Sequence, residues 1–336
     1  AFLPNGDMLI TERPGRLRLV KGGQLSETPV EGVPKVFASS QGGLMDIALH
    51  PKFEQNQYVY LTYSVGDINQ NHSVLARGKY ADGRLNDLKV IFEARPDKPG
   101  NQHFGACIEW LPDGTMLLSI GDGGNPPLMV EGILARENGQ RLDRHLGKIL
   151  RLNDDGSVPK DNPFVGKGNA KPEVYTYGNR NIQGLARDRE SGRVWATEHG
   201  PFGGDELNLV AKGSNYGWPV ISYGLDYQTK EPVAKLKSGA DKGMVDPKVV
   251  WAPSKAPSGL LVYSGQKFPQ WRGSILSGGL VTLDIRRITL DGTRAMSEES
   301  LPIGRRVRDI VQGPDDLVYV LTDHKDGELF RLEPEN

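Results

Sequence analysis

A strand–turn–strand unit recurs six times along the chain and constrains its fold more than any other feature. In each copy, two apolar, β-rich runs flank a turn rich in Pro, Asp, Asn and Gly, which is the signature of a β-hairpin. The copies cover residues 1–13, 44–64, 107–124, 182–200, 260–280 and 307–323. A repeat of this kind, spaced at roughly 50–75 residues, is typical of propeller blades. We therefore predict an all-β fold, a six-bladed β-propeller with four-stranded antiparallel blades around a central channel.

The whole chain, residues 1–336, is predicted to form a single propeller domain, because six blades of about four strands use most of its length. Helical periodicity is weak, and the best candidate for a helix is the segment 131–146. The sequence opens without Met on the strand-like run AFLPNGDMLITER, so we expect an N-terminal segment to precede it. A signal peptide is one candidate for that segment.

Charge and hydropathy argue against several classes of function. The formal net charge is −1, and neither a basic field suited to nucleic acid nor an acidic tail is present. No window approaches the ~20 apolar residues that a membrane span needs. The one cysteine, Cys107, excludes an intrachain disulfide and is interpreted as a small strand residue rather than a catalytic thiol. The sequence has no zinc-ligand spacing, Walker loop or dinucleotide glycine fingerprint.

His103 is the first candidate for chemistry. It lies in a loop before a strand, where a histidine can act as a general base because the ordinary pKa of histidine lies near working pH. Asp122, at the end of the adjacent strand, is placed to orient and polarise it. The alternatives are a loop histidine that only caps or hydrogen-bonds, and an ordinary Asp-Gly-Gly turn.

A second group of polar residues suits a planar ligand with several carboxylates. Arg180 stands at a strand entry with Asn181 and Gln183, whose amides share a face if the segment is extended. Arg306 and Arg308 repeat the arrangement at alternate positions of a later repeat. Guanidinium groups clamp carboxylates through paired hydrogen bonds, so this pattern favours an anionic ligand. A structural ion-pair network is the alternative.

The run HGPFGGDE at residues 199–206 is a weak calcium signal. Calcium takes oxygen ligands in tolerant geometry, and this run offers the carbonyls of a Gly-Pro turn and the carboxylates of Asp205 and Glu206. An ordinary solvated turn is also consistent with this composition.

Taken together, these motifs resemble the soluble glucose and aldose sugar dehydrogenases that depend on pyrroloquinoline quinone (PQQ). The resemblance runs from about residue 1 to residue 333. Eight motifs occur in the family's order: FLPNGDMLITERPGRLRLV, QGGLMDIALHP, HFG, LGKILRLNDDGSVPKDNPF, YGNRNIQGLA, EHGPFGGDELNL, NYGWP and RDIVQGPDDLVYVLTD. The short loops are closer to the bacterial aldose-specific branch than to the glucose enzymes.

The resemblance implies an enzyme that oxidises aldose sugars at C1 to lactones, with hydride transfer to PQQ. His103 would be the base that takes the proton of the C1 hydroxyl, Asp122 would support it, and Arg180 is counted with them as catalytic. The residues implied to contact PQQ are Gln41, Arg180, Asn181, Gln183, Tyr227, Arg306 and Arg308. The calcium ligands implied are the carbonyls of Gly200 and Pro201 for the ion that bridges to PQQ, and Glu206, Asp205 and the Tyr216 carbonyl for a second, structural ion.

The same resemblance implies aldose substrates, mono- and disaccharides alike, an unidentified electron acceptor and a periplasmic or secreted location. The chain would be a monomer or a homodimer, without nucleic-acid partners. Two positions depart from the family pattern. Val281 stands where a lysine is usual, so that another cation such as Lys255 substitutes or PQQ affinity is reduced. Ile182 replaces a usual proline and is expected to loosen that turn.

Two other classes of propeller remain open at this point. One is a calcium-dependent hydrolase of the lactonase type, which would use metal-bound water on a lactone. The other is a non-catalytic propeller that binds sugar or protein on one face and requires no convergence of His103, Asp122, Arg180 and Arg306.

Overall fold

The structure is a computed structural model and describes residues 1–335. Its regular elements are 24 strands, one short helix, α1 (Phe53–Asn56), and three 3-10 helices at Ala135–Gln140, Ala240–Lys242 and Pro269–Trp271. Six antiparallel sheets of three or four strands are the blades of a six-bladed β-propeller. The predicted fold class is therefore confirmed.

The chain divides into two compact units, Ala1–Asn179 and Arg180–Asn336, with three blades in each. The prediction that all six blades form one domain stays a prediction.

The first unit contains blades 1 to 3. Blade 1 consists of β1 (Met8–Glu12), β2 (Arg16–Lys21) and β3 (Gln24–Leu25). Blade 2 consists of β4 (Leu44–Leu49), β5 (Tyr58–Gly66), β6 (Asn71–Ala81) and β7 (Arg84–Glu93). Blade 3 consists of β8 (Gly105–Trp110), β9 (Met116–Ile120), β12 (Lys148–Leu152) and β13 (Val174–Tyr177), and a small separate ribbon pairs β10 (Met129–Val130) with β11 (Ile133–Leu134).

The second unit contains blades 4 to 6. Blade 4 consists of β14 (Ile182–Arg187), β15 (Val194–Glu198), β16 (Asp205–Val210) and β17 (Val249–Trp251). Blade 5 consists of β18 (Pro257–Val262), β19 (Ile275–Gly279), β20 (Asp284–Asp291) and β21 (Arg294–Pro302). Blade 6 consists of β22 (Val307–Gln312), β23 (Val318–Thr322) and β24 (Leu329–Leu332).

Burial along the strands follows their place in each blade. The second strands β9, β15 and β19 are buried at every position, because both of their faces are covered and both edges are paired. The last strands β7 and β21 carry mostly exposed residues, many of them charged, which is how proteins commonly protect the edge of a sheet. Each unit holds two apolar clusters of its own, and the blades therefore provide a rigid frame for the loops that follow their strands.

In five blades the predicted hairpin corresponds to the first two strands, and only in blade 1 does the turn lie elsewhere. In blade 1 the turn at residues 4–6 closes only an isolated bridge between Phe2 and Met8, and β1 pairs forward with β2. Blades 1 and 6 have three strands instead of the predicted four. The helix predicted at 131–146 is wrong: this segment contains β11 and the 3-10 helix Ala135–Gln140, which is interrupted by glycines.

Candidate active site

The structure brings His103 and Asp122 together in the first unit. Nδ1 of His103 lies 2.6 Å from Oδ1 of Asp122, and both side chains are buried. Asp122 follows β9, and the backbone N–H of Gly124 also donates to its Oδ1. Because a carboxylate only accepts hydrogen bonds, Nδ1 carries the proton of the neutral imidazole and Nε2 carries the basic lone pair. The predicted base–orienter pair is therefore present geometrically.

Gln41 holds the backbone of His103 from the other side. Its Oε1 accepts the backbone N–H of His103 at 2.8 Å. The next residue, Gly42, has no room for a side chain, because a β-carbon there would lie 2.9 Å from the Phe104 ring and 2.8 Å from the Ser64 hydroxyl. The motifs QGG and HFG, which are far apart in the sequence, thus form one packed unit around His103.

Arg180 is the central cation of the second unit. Its backbone N–H donates to Oε2 of Glu198 at 2.6 Å, and its Nη1 donates to the carbonyl of His199 at 2.7 Å. The guanidinium lies over the Trp218 ring, 5.4 Å from the ring centroid. The side chain is buried, so its orientation is fixed before any ligand binds.

The amides predicted beside Arg180 connect it to blade 6. Nε2 of Gln183 donates to Oδ1 of Asn181 at 3.3 Å, and Nη1 of Arg308 donates to Oε1 of Gln183 at 3.4 Å. The structure therefore brings Asn181, Gln183 and Arg308 into one chain of hydrogen bonds. Ile182 begins β14 between the two amides, is buried and pairs with Glu198, and the ladder is irregular between Ile182 and Gly184. The expected loosening at this turn stays a prediction.

Arg306 and Arg308 share one carboxylate that the sequence analysis missed. Asp323 forms ion pairs with Nη2 of Arg306 at 2.6 Å and with Nη2 of Arg308 at 3.2 Å. Although burial opposes it, the two guanidinium groups hold the pKa of Asp323 below its usual range. The ion-pair alternative is thus realised in part, but two cations to one anion leave a net positive charge at the start of β22.

The loop after β15 is held by Asp205 in a way that the sequence did not predict. Oδ1 of Asp205 accepts the backbone N–H of Gly200 at 2.9 Å. Its Oδ2 accepts the backbone N–H groups of Lys255 and Ala256 and the hydroxyl of Ser254. Both oxygens of Asp205 therefore accept hydrogen bonds within the protein, which makes Asp205 a weaker candidate for a calcium ligand than Glu206.

Gly200 and Pro201 lie in a tight loop whose carbonyls crowd together. A β-carbon on Gly200 would lie 2.2 Å from the carbonyl oxygen of Gly204 and 2.3 Å from that of Gly203. The carbonyl of Pro201 accepts the backbone N–H of Leu225 at 2.9 Å. The loop concentrates carbonyl oxygens, which are the ligands that calcium prefers.

Glu206 faces a second acidic side chain, Glu198, in the interior of blade 4. Nδ2 of Asn208 donates to Oε2 of Glu206 and to Oε1 of Glu198, each at 3.0 Å. Burial, and then the nearby Glu198 carboxylate, raise the pKa of Glu206 well above its usual value. Sequence reasoning found Glu206 but missed Glu198 and Asn208, which looked like ordinary strand residues.

Tyr216, Tyr227 and Val281 complete the predicted set. The Tyr216 hydroxyl donates to the carbonyl of Leu209 at 2.6 Å. This bond fixes the turn that carries the backbone carbonyl of Tyr216, the predicted calcium ligand. Tyr227 is exposed, and its ring packs edge-on against Phe202 at 5.9 Å between centroids. Val281 is 60% exposed, whereas Lys255 is only 2% exposed.

Lys255 is a poor substitute for the lysine that is usual at position 281. Its Nζ lies 4.5 Å from the Trp251 ring centroid and 3.4 Å from the carbonyl oxygen of Ser277, inside the blade. This burial argues against Lys255 as the substitute. A guanidinium that contacts the residue next to position 281 in the chain is that of Arg306, whose Nη1 donates to the carbonyl of Leu280 at 3.1 Å.

Comparison with known proteins decides the family. Residues 1–331 match the glucose/sorbosone dehydrogenase family. The chain belongs to this family. Among curated relatives of this chain, the aldose sugar dehydrogenase YliI of Escherichia coli is 37% identical over 343 residues, covering 100% of this chain and 89% of the relative.

Solved structures agree with this assignment. The crystal structure of the soluble aldose sugar dehydrogenase from Escherichia coli in the apo-form has a TM-score of 0.92 and 37% identity, covering 99% of this chain and 95% of that one. The PQQ-bound aldose sugar dehydrogenase of Streptomyces coelicolor has a TM-score of 0.78 and 28% identity, covering 98% and 92%. Within the described residues of this chain, no helix is long and apolar enough to cross a membrane. The predicted family and oxidoreductase class are thus confirmed.

Proposed function

We propose that the protein oxidises aldose sugars at C1 to lactones with PQQ as the electron acceptor. The observation that carries the proposal is the buried pair of His103 and Asp122, with 2.6 Å between Nδ1 and Oδ1. A family of sugar dehydrogenases needs a base for the hydroxyl proton, and a histidine oriented by a carboxylate is suited to that task.

The dyad handles the proton of the reaction. Nε2 of His103 accepts the proton of the C1 hydroxyl, and the ionised Asp122 stabilises the imidazolium that forms. Loss of the hydroxyl proton and of a hydride from C1 converts the cyclic sugar to its lactone. When bound, PQQ supplies the two-electron acceptor for this hydride, and calcium supplies Lewis-acid polarisation of its carbonyl. Positioned bases of this kind contribute roughly 100-fold to 10,000-fold in rate.

The donor set of the second unit fits PQQ, which carries several carboxylates. Three guanidinium groups, those of Arg180, Arg306 and Arg308, are accompanied by the amides of Asn181 and Gln183. Arg306 and Arg308 share a single carboxylate, so positive charge remains for an anionic ligand. These five residues would hold and orient the cofactor. Contacts of Gln41 and Tyr227 with PQQ remain predictions.

Calcium would occupy two places in the second unit. The carbonyls of Gly200 and Pro201 would take the ion next to the cofactor. Glu206 and Glu198 would take a structural ion, with the Tyr216 carbonyl as a further candidate. The support for this second ion is Oδ1 of Asn208, which is buried and lacks a hydrogen-bond partner among the described residues. The described residues hold no cluster of three His, Cys, Asp or Glu side chains, so amide and carbonyl oxygens would complete either site.

The remaining features are proposed from the family. Substrates would include mono- and disaccharide aldoses, and electrons would pass from the reduced cofactor to an acceptor that is not identified. The location would be periplasmic or secreted, and the protein would be a monomer or a homodimer. Cell fractionation and light scattering would test these two points.

The proposed activity is tested by reconstitution. Purified protein, freed of metal and cofactor, is assayed with a redox dye and glucose, galactose or maltose, after addition of PQQ, calcium, both or neither. We expect activity only with both additions and a lactone as the product. Lactone hydrolysis without PQQ, and no aldose oxidation under any condition, would support the lactonase-type alternative instead.

A further inference from the structure

Lys98 is a buried charge beside the dyad that the proposed mechanism has not used. The residue is 2% exposed, and its Nζ has no hydrogen-bond partner among the described residues. Leaving an ammonium group buried without a hydrogen bond is costly. Such a group calls for an explanation, and its surroundings provide one.

The lysine side chain lies against the immediate chain neighbours of both dyad residues. Its Nζ is 3.9 Å from the ring centroid of Phe104, which follows His103. Its Cδ is 3.3 Å from the place that a β-carbon on Gly123 would take, and Gly123 follows Asp122. The backbone of Lys98 is fixed by two hydrogen bonds with Asn71, both at 2.9 Å. The ammonium is therefore held near the dyad by packing and by backbone pairing.

Asp122 is the charged group that acts on the ammonium of Lys98. Burial lowers the pKa of Lys98 to about 7, and the Asp122 carboxylate opposes that shift. The neighbouring Asp97 is instead paired with His72 and Arg95.

Lys148 is a second buried lysine near Asp122. Burial lowers the pKa of Lys148, and the Asp143 and Asp122 carboxylates oppose that shift. Its Nζ, however, donates to the carbonyls of Asn138, Gly139 and Leu146. These three bonds already explain its burial, whereas nothing comparable explains Lys98.

We propose that Lys98 is a positioning residue of the dyad, whose ammonium acts through Asp122 to oppose protonation of His103 and so extends the base's activity to lower pH. The inference rests on the proposed function only in treating His103 as the base. A cation near a histidine disfavours the imidazolium form, and by partly offsetting the negative charge of Asp122 it also weakens the stabilisation that this carboxylate gives the imidazolium. Because Lys98 is charged below pH ~7, its effect falls in the pH range where a histidine gains its proton.

The test follows the ring protons of His103 by NMR in the cofactor-free protein, with the resonance identified by its loss in His103→Gln. In Lys98→Met we expect the midpoint of the His103 titration to rise by about 0.5–1 pH unit, a threefold to tenfold gain in proton affinity. Lys98→Arg, which keeps the charge, should leave the midpoint near that of the wild type. Lys98→Gln provides a second neutral variant if Lys98→Met does not fold.

Lys255→Met is the matched control. Lys255 is equally buried, and its ammonium also lies over an aromatic ring, but the carboxylate that most opposes the burial-lowered pKa of Lys255 is that of Asp284. This variant should leave the His103 midpoint in place. In the loaded enzyme, the acid limb of kcat/KM should move with the midpoint in Lys98→Met, while the rate at about pH 8 stays near that of the wild type. A midpoint that is unchanged or lower in both neutral variants overturns the inference. Because the NMR readout needs neither PQQ nor sugar, that result is distinguishable from failure of the proposed function.

Discussion

The side-chain oxygen of Gln41 lies 2.8 Å from the backbone nitrogen of His103 and accepts its hydrogen bond across 62 residues of chain. His103 has a backbone φ of 51°, in the left-handed region that non-glycine residues rarely adopt. Holding such a residue there costs about 1 kcal/mol or more, so the bond to Gln41 helps to keep the proposed base, His103, in place.

Gln41→Ala is therefore expected to lower kcat about tenfold, because a small displacement of a catalytic group has a large effect on rate. PQQ affinity, measured by titration against activity, should stay near that of the wild type. Gln41→Glu keeps an acceptor oxygen and should retain more activity than the alanine variant. A loss of PQQ affinity with unchanged kcat would instead favour the direct contact that the family resemblance implies.

Val281→Lys is expected to tighten PQQ binding. Position 281 is exposed and follows the carbonyl that Arg306 contacts, so a lysine there adds a cation to the proposed anion site. One charge-assisted hydrogen bond of about 1.5–3 kcal/mol corresponds to a tenfold or greater fall in the Kd of PQQ. Val281→Met, a neutral side chain of similar length, is the control. Equal affinity in both variants would place the cofactor away from this position.

Glu206→Gln tests the structural calcium. In EGTA at neutral pH, this variant should melt ~2–4 °C above the wild type, because it removes one of two facing carboxylates. Calcium should raise the Tm of the wild type and reverse the order, since the ion needs both charges. The exposed Glu299→Gln should respond to calcium as the wild type does. A wild-type Tm that is indifferent to EGTA and calcium would contradict the site.

Lys255 makes stability depend on pH in a defined direction. Burial lowers the pKa of Lys255 to about 7, whereas a lysine in the unfolded chain keeps its proton up to pH ~10. Between these values the unfolded state binds more protons, so this residue makes stability rise with pH. Relative to Lys255→Met, the wild type should therefore gain Tm between about pH 7 and pH 9 and show a constant difference below about pH 6. Thermal unfolding of both proteins checks this, and parallel curves would contradict it.

The blades could be predicted because their information is local. Each hairpin needs only apolar alternation and turn residues, which the sequence displays, so five hairpin turns were placed correctly and only that of blade 1 was misplaced. The segment 131–146 was predicted as a helix only as the best candidate in a sequence of weak helical periodicity, and its glycines favour the shorter 3-10 helix Ala135–Gln140.

In the candidate site, too, local sequence patterns could be predicted and distant pairings could not. His103 and Asp122 were predicted because both lie in recognisable motifs. Asp323 and Glu198 were missed, since their importance comes from pairing with residues distant in the chain. Lys255 was expected to be available to an anionic cofactor, but its side chain is buried. Sequence alone does not reveal whether a long side chain at the end of a strand turns toward the interior or toward solvent.

The central claim is that His103 is the base of a sugar dehydrogenase, and one comparison tests it most directly. His103→Gln and His50→Gln are loaded with PQQ and calcium, and kcat for glucose oxidation is measured beside the PQQ affinity of each. His50 packs among the aromatic rings of Tyr60 and Trp110 and has no part in the proposed chemistry, so its variant should keep wild-type kcat. We predict that His103→Gln binds PQQ normally but loses roughly 100-fold to 10,000-fold in kcat. A His103→Gln enzyme that binds PQQ and turns over within a few-fold of the wild type would contradict the account.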